Sequence, residues 1–307
     1  MAWVELECEI PAEGETRIDR VVQQAVELSR AEVKGLFDHG CVSLNGGPCV
    51  EPGMLVRSGD RVQLRYDRHR RYRERAPMRR DPAFKLVFED EWLLVVDKAA
   101  AVLTVPTERL ETNTLLDAVD RYLSRKRGGR AAVVHRLDRG TSGLLVIAKS
   151  SRIAQEIQQQ FRSRKAEREY AAIVAGEMLR DRGTIESRLG TTRSLQRHSV
   201  RDEMPGETAI THYEVVERLK KATFLRVRLE TGRRNQIRVH MAEAGHPVLG
   251  ETRYRTREAR HRYWQAKRLA LHAGLLGFEH PRNGQELRFE SPLPREFERF
   301  LRTVRGI

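Results

Sequence analysis

The sequence predicts an α+β protein, in which a mixed, mainly antiparallel sheet domain follows a small α/β module. Two short stretches with helical spacing near the N-terminus run into short strands separated by glycine-containing turns. From Phe84 onward strands outnumber helices and do not alternate strictly with them, which is the pattern of segregated rather than doubly wound elements. No glycine-rich dinucleotide fingerprint follows a first strand, and no phosphate-binding P-loop is present.

The module occupies residues 1–64. Ile18, Val21, Val22, Ala25 and Val26 recur at helical spacing between Arg17 and Leu28. Ser29 is placed to cap a second helix, with Glu32 completing a capping box and Val33, Leu36 and Phe37 on the apolar face. Val42-Ser43-Leu44 reads as a strand and Asn45-Gly46 as a hairpin turn. Val50 to Val56 crosses a Pro52-Gly53 turn, and Ser58-Gly59-Asp60 turns the chain into a strand at Val62-Gln63-Leu64. Residues 65–83 read as a linker. Its first sixteen residues, RYDRHRRYRERAPMRR, hold eight arginines and two acids without apolar periodicity. This stretch is either a solvated linker or a basic arm that orders on a polyanion.

The second domain covers residues 84–307. Strands are predicted at Leu86–Phe88, Leu93–Asp97, Val133–Val134, Gly143–Ala148, Tyr170–Ala175, Ala209–Glu217, Thr223–Leu229 and Leu287–Phe289. Helices are predicted at Thr114–Leu123, Ile153–Arg162 and Asn235–Ala244, the last stopped by Gly245.

Composition narrows the function. The 307 residues carry 57 Lys plus Arg against 43 Asp plus Glu, a net charge of +14, which favours a polyanionic partner. No apolar run is long enough to span a membrane, and Met1 to Glu15 lacks the basic start and apolar core of a secretory signal. Cys8, Cys41 and Cys49 form no CxxC pair, which fits a reducing, cytoplasmic setting and no structural metal.

The stretch that carries chemistry is Ala132 to Lys149, AVVHRLDRGTSGLLVIAK. It places Asp138 between Arg136 and Arg139, after one apolar strand and before another. Flanking cations keep such a carboxylate ionised while it is partly desolvated, a state suited to nucleophilic or base work. On chemistry alone a structural Asp–Arg pair is the commoner explanation.

This stretch resembles the catalytic signature of the RluA-type family of pseudouridine synthases. Glu89-Asp90-Glu91 with Leu94 to Lys98, Phe161 with Arg164 and Arg168-Glu169-Tyr170, and Glu230 to Arg233 with Gln236 to His240 are similar to further family motifs. So are Gly245 to Gly250, Arg268 to Ala273, His280-Pro281 and Leu293-Pro294. The resemblance implies isomerisation of uridine: the C1′–N1 bond breaks, the uracil rotates and rejoins through C5, with no cofactor or metal. It implies Asp138 as the catalytic carboxylate, attacking C1′ or removing the C2′ proton. Tyr170 stacks on the uracil or orients it and moves a proton; otherwise it is a sheet-core tyrosine. Arg238 pairs with Asp138; otherwise it is a surface helix arginine. RNA contact falls to Arg136, Arg139 and Arg233, with Arg136 filling the gap left by a flipped nucleotide or touching a phosphate. Leu137 and Ile237 read as pocket wall or core, and His135 and His240 as hydrogen-bonded or RNA-contacting residues rather than bases.

The N-terminal module resembles the S4 RNA-binding domain through Arg17-Ile18-Asp19, Ser29-Arg30, Gly40 to Gly46 and Gly59 to Val62. That implies RNA contact by Arg17, Arg20, Arg30 and Lys34; the alternative is an ordinary solvated helix pair. The combination points to large-subunit ribosomal RNA, with transfer RNA as the alternative and a non-catalytic RNA-binding or ribosome-assembly protein as the competing class. A monomer without an obligate protein partner is expected. Two departures stand out. Lys98-Ala99-Ala100-Ala101 replaces the family's Lys-Pro-Ala-Gly, so the loop is expected to follow another path, since alanine resists positive φ. Arg234-Asn235 replaces Thr-His and adds positive charge.

Overall fold

The computed structural model describes residues 3–12, 14–49, 52–69, 72, 83–107, 113–126, 129–192 and 195–306. The chain divides into two compact units, Met1–Arg80 and Asp81–Ile307.

The first unit runs β1 (Trp3–Cys8), β2 (Glu15–Arg17), α1 (Ile18–Ala25), α2 (Arg30–Asp38), β3 (Val42–Leu44), β4 (Gly47–Pro48), β5 (Leu55–Arg57) and β6 (Val62–Asp67). Strands β1, β6, β3 and β4 make one antiparallel sheet in that order, and β2 pairs with β5. Helical spacing brings Ile18, Val21 and Val22 of α1 into one core with Val33, Leu36 and Phe37 of α2 and Val42, Val62 and Leu64 of the sheet. The capping box at Ser29 and Glu32 is formed in both directions. Asn45 and Gly46 adopt φ 50° and 80°, the left-handed pair that a tight hairpin between β3 and β4 requires.

Three features differ from expectation. The first helix is shorter, because Arg17 and Val26 are extended at its two ends. β1 is not among the predicted strands. The stretch expected to be linker from residue 65 begins inside the unit: β6 continues to Asp67, and buried Tyr72 accepts a hydrogen bond from the Asp67 N–H. Most of the remaining arginine-rich stretch, and Val50, lie outside the described residues.

The second unit runs β7 (Phe84–Glu89), β8 (Leu93–Lys98), α3 (Leu115–Arg125), β9 (Ala132–Val133), β10 (Ser142–Ala148), α4 (Ser151–Arg162), β11 (Glu167–Ala175), β12 (Arg182–Thr191) and β13 (Arg197–Val200). It continues with β14 (Glu207–Leu219), β15 (Ala222–Leu229), α5 (Gln236–Glu243), β16 (Leu271–Glu279), β17 (Glu286–Glu290) and α6 (Arg295–Arg305). The strands form one sheet in the order β13-β12-β14-β15-β11-β16-β10-β8-β7, with β17 on β16 and β9 on β10.

All these pairings are antiparallel except β10 with β16, which run parallel for Ser142↔His272 and Gly143↔Ala273. Gly143 sits at φ 116°, and a Cβ there would lie 2.2 Å from the Ala273 carbonyl oxygen, so only glycine allows this junction.

The runs Leu93-Leu94-Val95-Val96 and Leu144-Leu145-Val146-Ile147 are apolar throughout because the sheet is covered on both faces. Leu94, Val96, Leu145 and Ile147 join a core with Leu115, Val119 and Leu123 of α3 and Phe297, Phe300 and Leu301 of α6. The alternate residues Leu93, Val95, Leu144 and Val146 meet Ile153, Ala154 and Ile157 of α4. The α+β class with a mainly antiparallel sheet is thus the observed one. Strands β12, β13 and β16 and helix α6 are not among the predicted elements. No described helix is long and apolar enough to cross a membrane.

Candidate active site

Asp138 lies in the turn between β9 and β10, where the Thr141 N–H donates to its carbonyl at 3.1 Å. The residue before it is pinned from both sides. Thr104 Oγ donates to the Leu137 carbonyl at 2.8 Å and accepts from the Leu137 N–H at 3.1 Å. Thr104 and Leu137 are both buried, so neither bond competes with water.

The cation that meets Asp138 comes from a hundred residues away. Arg238 Nη1 donates to Asp138 Oδ2 at 3.2 Å. The two sequence neighbours do not do this: Arg136 and Arg139 are exposed, and Arg139 donates instead to the Ala101 carbonyl at 3.3 Å. The cation in contact with Asp138 is thus delivered by α5 and not by its neighbours in the chain.

Arg238 is also not a surface helix residue. Gln236 through Ala242 of α5 are all buried. Its other donors go to Glu251, at 2.7 Å from Nε and 2.7 Å from Nη2, and to Asn235 Oδ1 at 2.9 Å. The Tyr254 ring packs beneath the guanidinium, 5.5 Å from ring centroid to Cζ. Burial opposes the charge on Arg238, but Glu251 and Asp138 overcome it and hold the group above the ordinary arginine range.

Glu251 itself is wholly buried and accepts two further bonds from the backbone N–H groups of Thr252 and Arg253. Asn235 carries the left-handed conformation at φ 58° that starts α5, and its Nδ2 donates to the Tyr254 hydroxyl. The Arg234-Asn235 departure thus puts a short amide where both the backbone and Arg238 need one.

A cavity of about 770 Å³ opens over this group. Leu137, Asp138, Tyr170, Ile237 and Arg238 line its inner part, and Arg136, Arg162, Arg164, Arg233 and Arg234 supply cations around it. Tyr170, on β11, is buried. Desolvation and the Asp138 charge hold its phenol protonated against the pull of Arg168. Leu137 and Ile237 belong to the main core as well as to the wall.

His135 is half-buried, stacks on Phe161 at 4.6 Å and accepts from the Val146 N–H, and desolvation drives its pKa down to about 3. His240 lies between Ser187 and Thr211 hydroxyls and is pushed down by burial. Both are hydrogen-bonded within the fold, and His135 also lines the cavity. Arg233 is exposed but held by Glu207 and the Thr208 carbonyl, and Arg164 is paired with Glu230.

Lys98, in the sequence only one residue of a motif, is fully buried, donating to the Ala99 and Val102 carbonyls at 2.9 and 2.8 Å. Burial lowers its pKa to about 7, with Asp138 and Asp97 opposing. The loop after it does not abandon the turn. Ala101 adopts φ 65°, a left-handed position held by alanine at a cost of about 1–2 kcal/mol. The expected change of path is corrected on this point.

In the N-terminal unit Arg20, Arg30 and Lys34 are exposed on α1 and α2, while exposed Arg17 pairs with Asp19 at 2.8 Å. Among the described residues no group of three His, Cys, Asp or Glu side chains is placed to hold a metal.

Comparison with known proteins adds a second line. A family model described as RNA pseudouridylate synthase matches residues 92–243. The chain is 35% identical to the ribosomal large subunit pseudouridine synthase D of Zymomonas mobilis subsp. mobilis, over 92% of each chain. It is 34% identical to the protein of that name from Pseudomonas aeruginosa, covering 97% of this chain and 95% of the relative. The solved structure of human RNA pseudouridylate synthase domain containing 4 shares the fold, with a TM-score of 0.60 at 22% identity, over 72% of this chain and 92% of that one.

Proposed function

The chain belongs to the RNA pseudouridylate synthase family and isomerises uridine to pseudouridine in structured RNA, and we propose that its substrate is large-subunit ribosomal RNA with Asp138 as the reacting carboxylate. The observation that carries the assignment of Asp138 is its contact with Arg238 at 3.2 Å, within a cavity that Tyr170 also lines.

In this reading the target nucleotide leaves its stack and enters the cavity, since C1′ is out of reach in a stacked base. Asp138 either attacks C1′ or takes the C2′ proton, and the C1′–N1 bond breaks. The uracil turns against the Tyr170 ring and C5 bonds to C1′, displacing the Asp138 carboxylate in the first route or with the C2′ proton returned by Asp138 in the second; the C5 proton then departs as N1 gains one. Arg238 pairs with Asp138 and aims it. The net change is an isomerisation, so no electrons are exchanged with another group. Arg136, Arg139 and Arg233 contact the RNA beside the cavity.

The N-terminal unit, two helices on a small antiparallel sheet, acts as an S4-like module that presents Arg17, Arg20, Arg30 and Lys34 to folded RNA. The ribosomal substrate is favoured by the printed names of the relatives from Zymomonas mobilis and Pseudomonas aeruginosa. The enzyme acts as a cytoplasmic monomer.

The test is a pseudouridine map of total RNA from cells with and without the gene. One or a few large-subunit sites disappear without it and return with the wild-type protein but not with Asp138→Ala. Loss confined to transfer RNA overturns the ribosomal assignment, and full restoration by Asp138→Ala overturns the catalytic one.

A further inference from the structure

We infer that residues 252–262 form a second RNA-contacting surface, an arginine-lined loop that holds the sugar–phosphate backbone of the substrate beside the flipped nucleotide. The inference rests on the reading of the chain as a pseudouridine synthase and concerns arginine side chains given no role above.

Thr252 to Arg262, TRYRTREARHR, holds five arginines and one acid. Arg253, Arg255, Arg257, Arg260 and Arg262 are all exposed. Among the described residues none of the five side chains makes an ion pair or a hydrogen bond, and Arg262 alone has an aromatic neighbour, lying 4.7 Å from the Tyr263 ring centroid. Elsewhere in this unit many exposed arginines are neutralised: Arg218 by Asp181, Arg226 and Arg228 by Glu169, Arg288 by Glu290, Arg305 by Glu217. Five like charges on one short loop repel one another, and a polyanion relieves that repulsion. The guanidinium fork also suits phosphate oxygens, because it offers paired donors.

The loop is held in one shape and rooted in the active site. The Gly250 N–H donates to the Ala259 carbonyl and the Ala259 N–H to the Arg255 carbonyl, both at 3.1 Å. Ala259 is buried, and Trp264 anchors the far end between Phe297 and Phe300, with centroids at 5.4 and 5.7 Å. A loop fixed in advance loses little entropy when it binds. At its near end Glu251 clamps Arg238, and Tyr254 bonds Asn235 and packs under the same guanidinium. Arg253 and Arg255 flank Tyr254 in the chain, one Cα step of about 3.8 Å on either side. The basic surface therefore begins next to the residues that aim Asp138. Separate charges along an open loop fit a repeating backbone better than a single small anion.

The experiment uses the full chain with Arg255→Gln, Arg257→Gln and Arg260→Gln combined, and in-vitro-transcribed large-subunit ribosomal RNA as the probe. Affinity is measured across a potassium chloride series. The slope of log K against log salt falls by roughly 2 to 3, at about 0.7–0.9 per lost phosphate contact. KM rises, while kcat at saturating RNA stays at the wild-type value. The same three positions changed to Lys retain the slope. Changing Arg295, Arg299 and Arg302 on α6 to Gln, an equal loss of charge on exposed residues, shifts the slope by less than the loop triple does. An unchanged slope in the loop triple, or an equal fall in the α6 triple, overturns the proposal. Pseudouridine formation by the wild-type protein, scored on the same transcripts, tests the enzymatic reading separately. A protein that makes none but keeps the loop-specific slope loses that reading and not this one.

Discussion

Two arginine–carboxylate arrangements border the same cavity and differ in what surrounds them. Arg238 directs its guanidinium to Glu251, Asp138 and Asn235, with 10% of its side chain exposed and none of Glu251's. Arg164 and Glu230 pair with 52% and 33% of their side chains exposed, and Arg233 and Glu207 with 38% and 50%. In the buried set, removing one member strands a charge that water cannot reach, and such losses cost about 3–5 kcal/mol. In the exposed set, water and salt replace a lost partner, and such pairs are worth about 0–1 kcal/mol. The buried set therefore fixes geometry, whereas the exposed pairs are free to exchange partners with water and salt.

Glu251→Gln breaks the comparison hardest. It removes the buried charge opposite Arg238 while keeping shape, and a loss of about 3 kcal/mol lowers Tm by roughly 6–12 °C in a unit of this size. Turnover falls with it, because Arg238 loses one of the two groups that aim it. A Tm within about 2 °C of wild type would mean the clamp is not what stabilises the site.

Lys98 gives the middle effect, through pH. Its folded pKa of about 7 lies below the ordinary lysine value of 10.5. Between those values the unfolded chain binds a proton that the folded chain does not, so stability rises with pH, by up to about 1.4 kcal/mol per unit. Below pH 7 the buried ammonium is charged in both states and its burial penalty is felt in full. Denaturant titrations between pH 7 and 9 show this rise in the wild type, and Lys98→Met abolishes it. A parallel pH profile in both proteins would exclude a titrating Lys98.

Arg164→Gln gives the smallest effect: a stability change under about 1 kcal/mol, with a higher KM for RNA. If it destabilised the protein as much as Glu251→Gln does, exposure would not be what separates the two arrangements.

The sequence made some of this legible and concealed the rest for physical reasons. Local chemistry was readable: the Ser29–Glu32 box, the Asn45-Gly46 turn and the doubly buried runs at Leu93 and Leu144 announce themselves within a few residues. The Asp138 loop was readable as well, because it sits between two apolar strands. The partner of Asp138 was not readable from its neighbours. Arg136 and Arg139 are adjacent in the chain, but the salt bridge spans a hundred residues, and only the motif resemblance pointed to Arg238. Glu251 left no local signal, since a buried carboxylate looks like any surface acid until its arginine is placed beside it. β12, with its scattered Arg and Glu, shows too weak an alternation to announce a strand. Helix α6 is different: Phe297, Phe300, Leu301 and Val304 recur at helical spacing, so that signal was present and unread.

The pair of hydrogen bonds between Thr104 and Leu137 has a consequence for how the Asp138 loop moves. One hydroxyl occupies both the N–H and the C=O of the residue before Asp138, much as a neighbouring strand would. The peptide at Leu137 thus acquires a substitute ladder rung from a loop thirty-three residues earlier in the chain. The carboxylate's position is inherited from two segments at once, the approach to β10 and the loop after Lys98. A fluctuation that loosens that earlier loop will carry Asp138 with it, so the stiffness of the loop sets how sharply the carboxylate is localised.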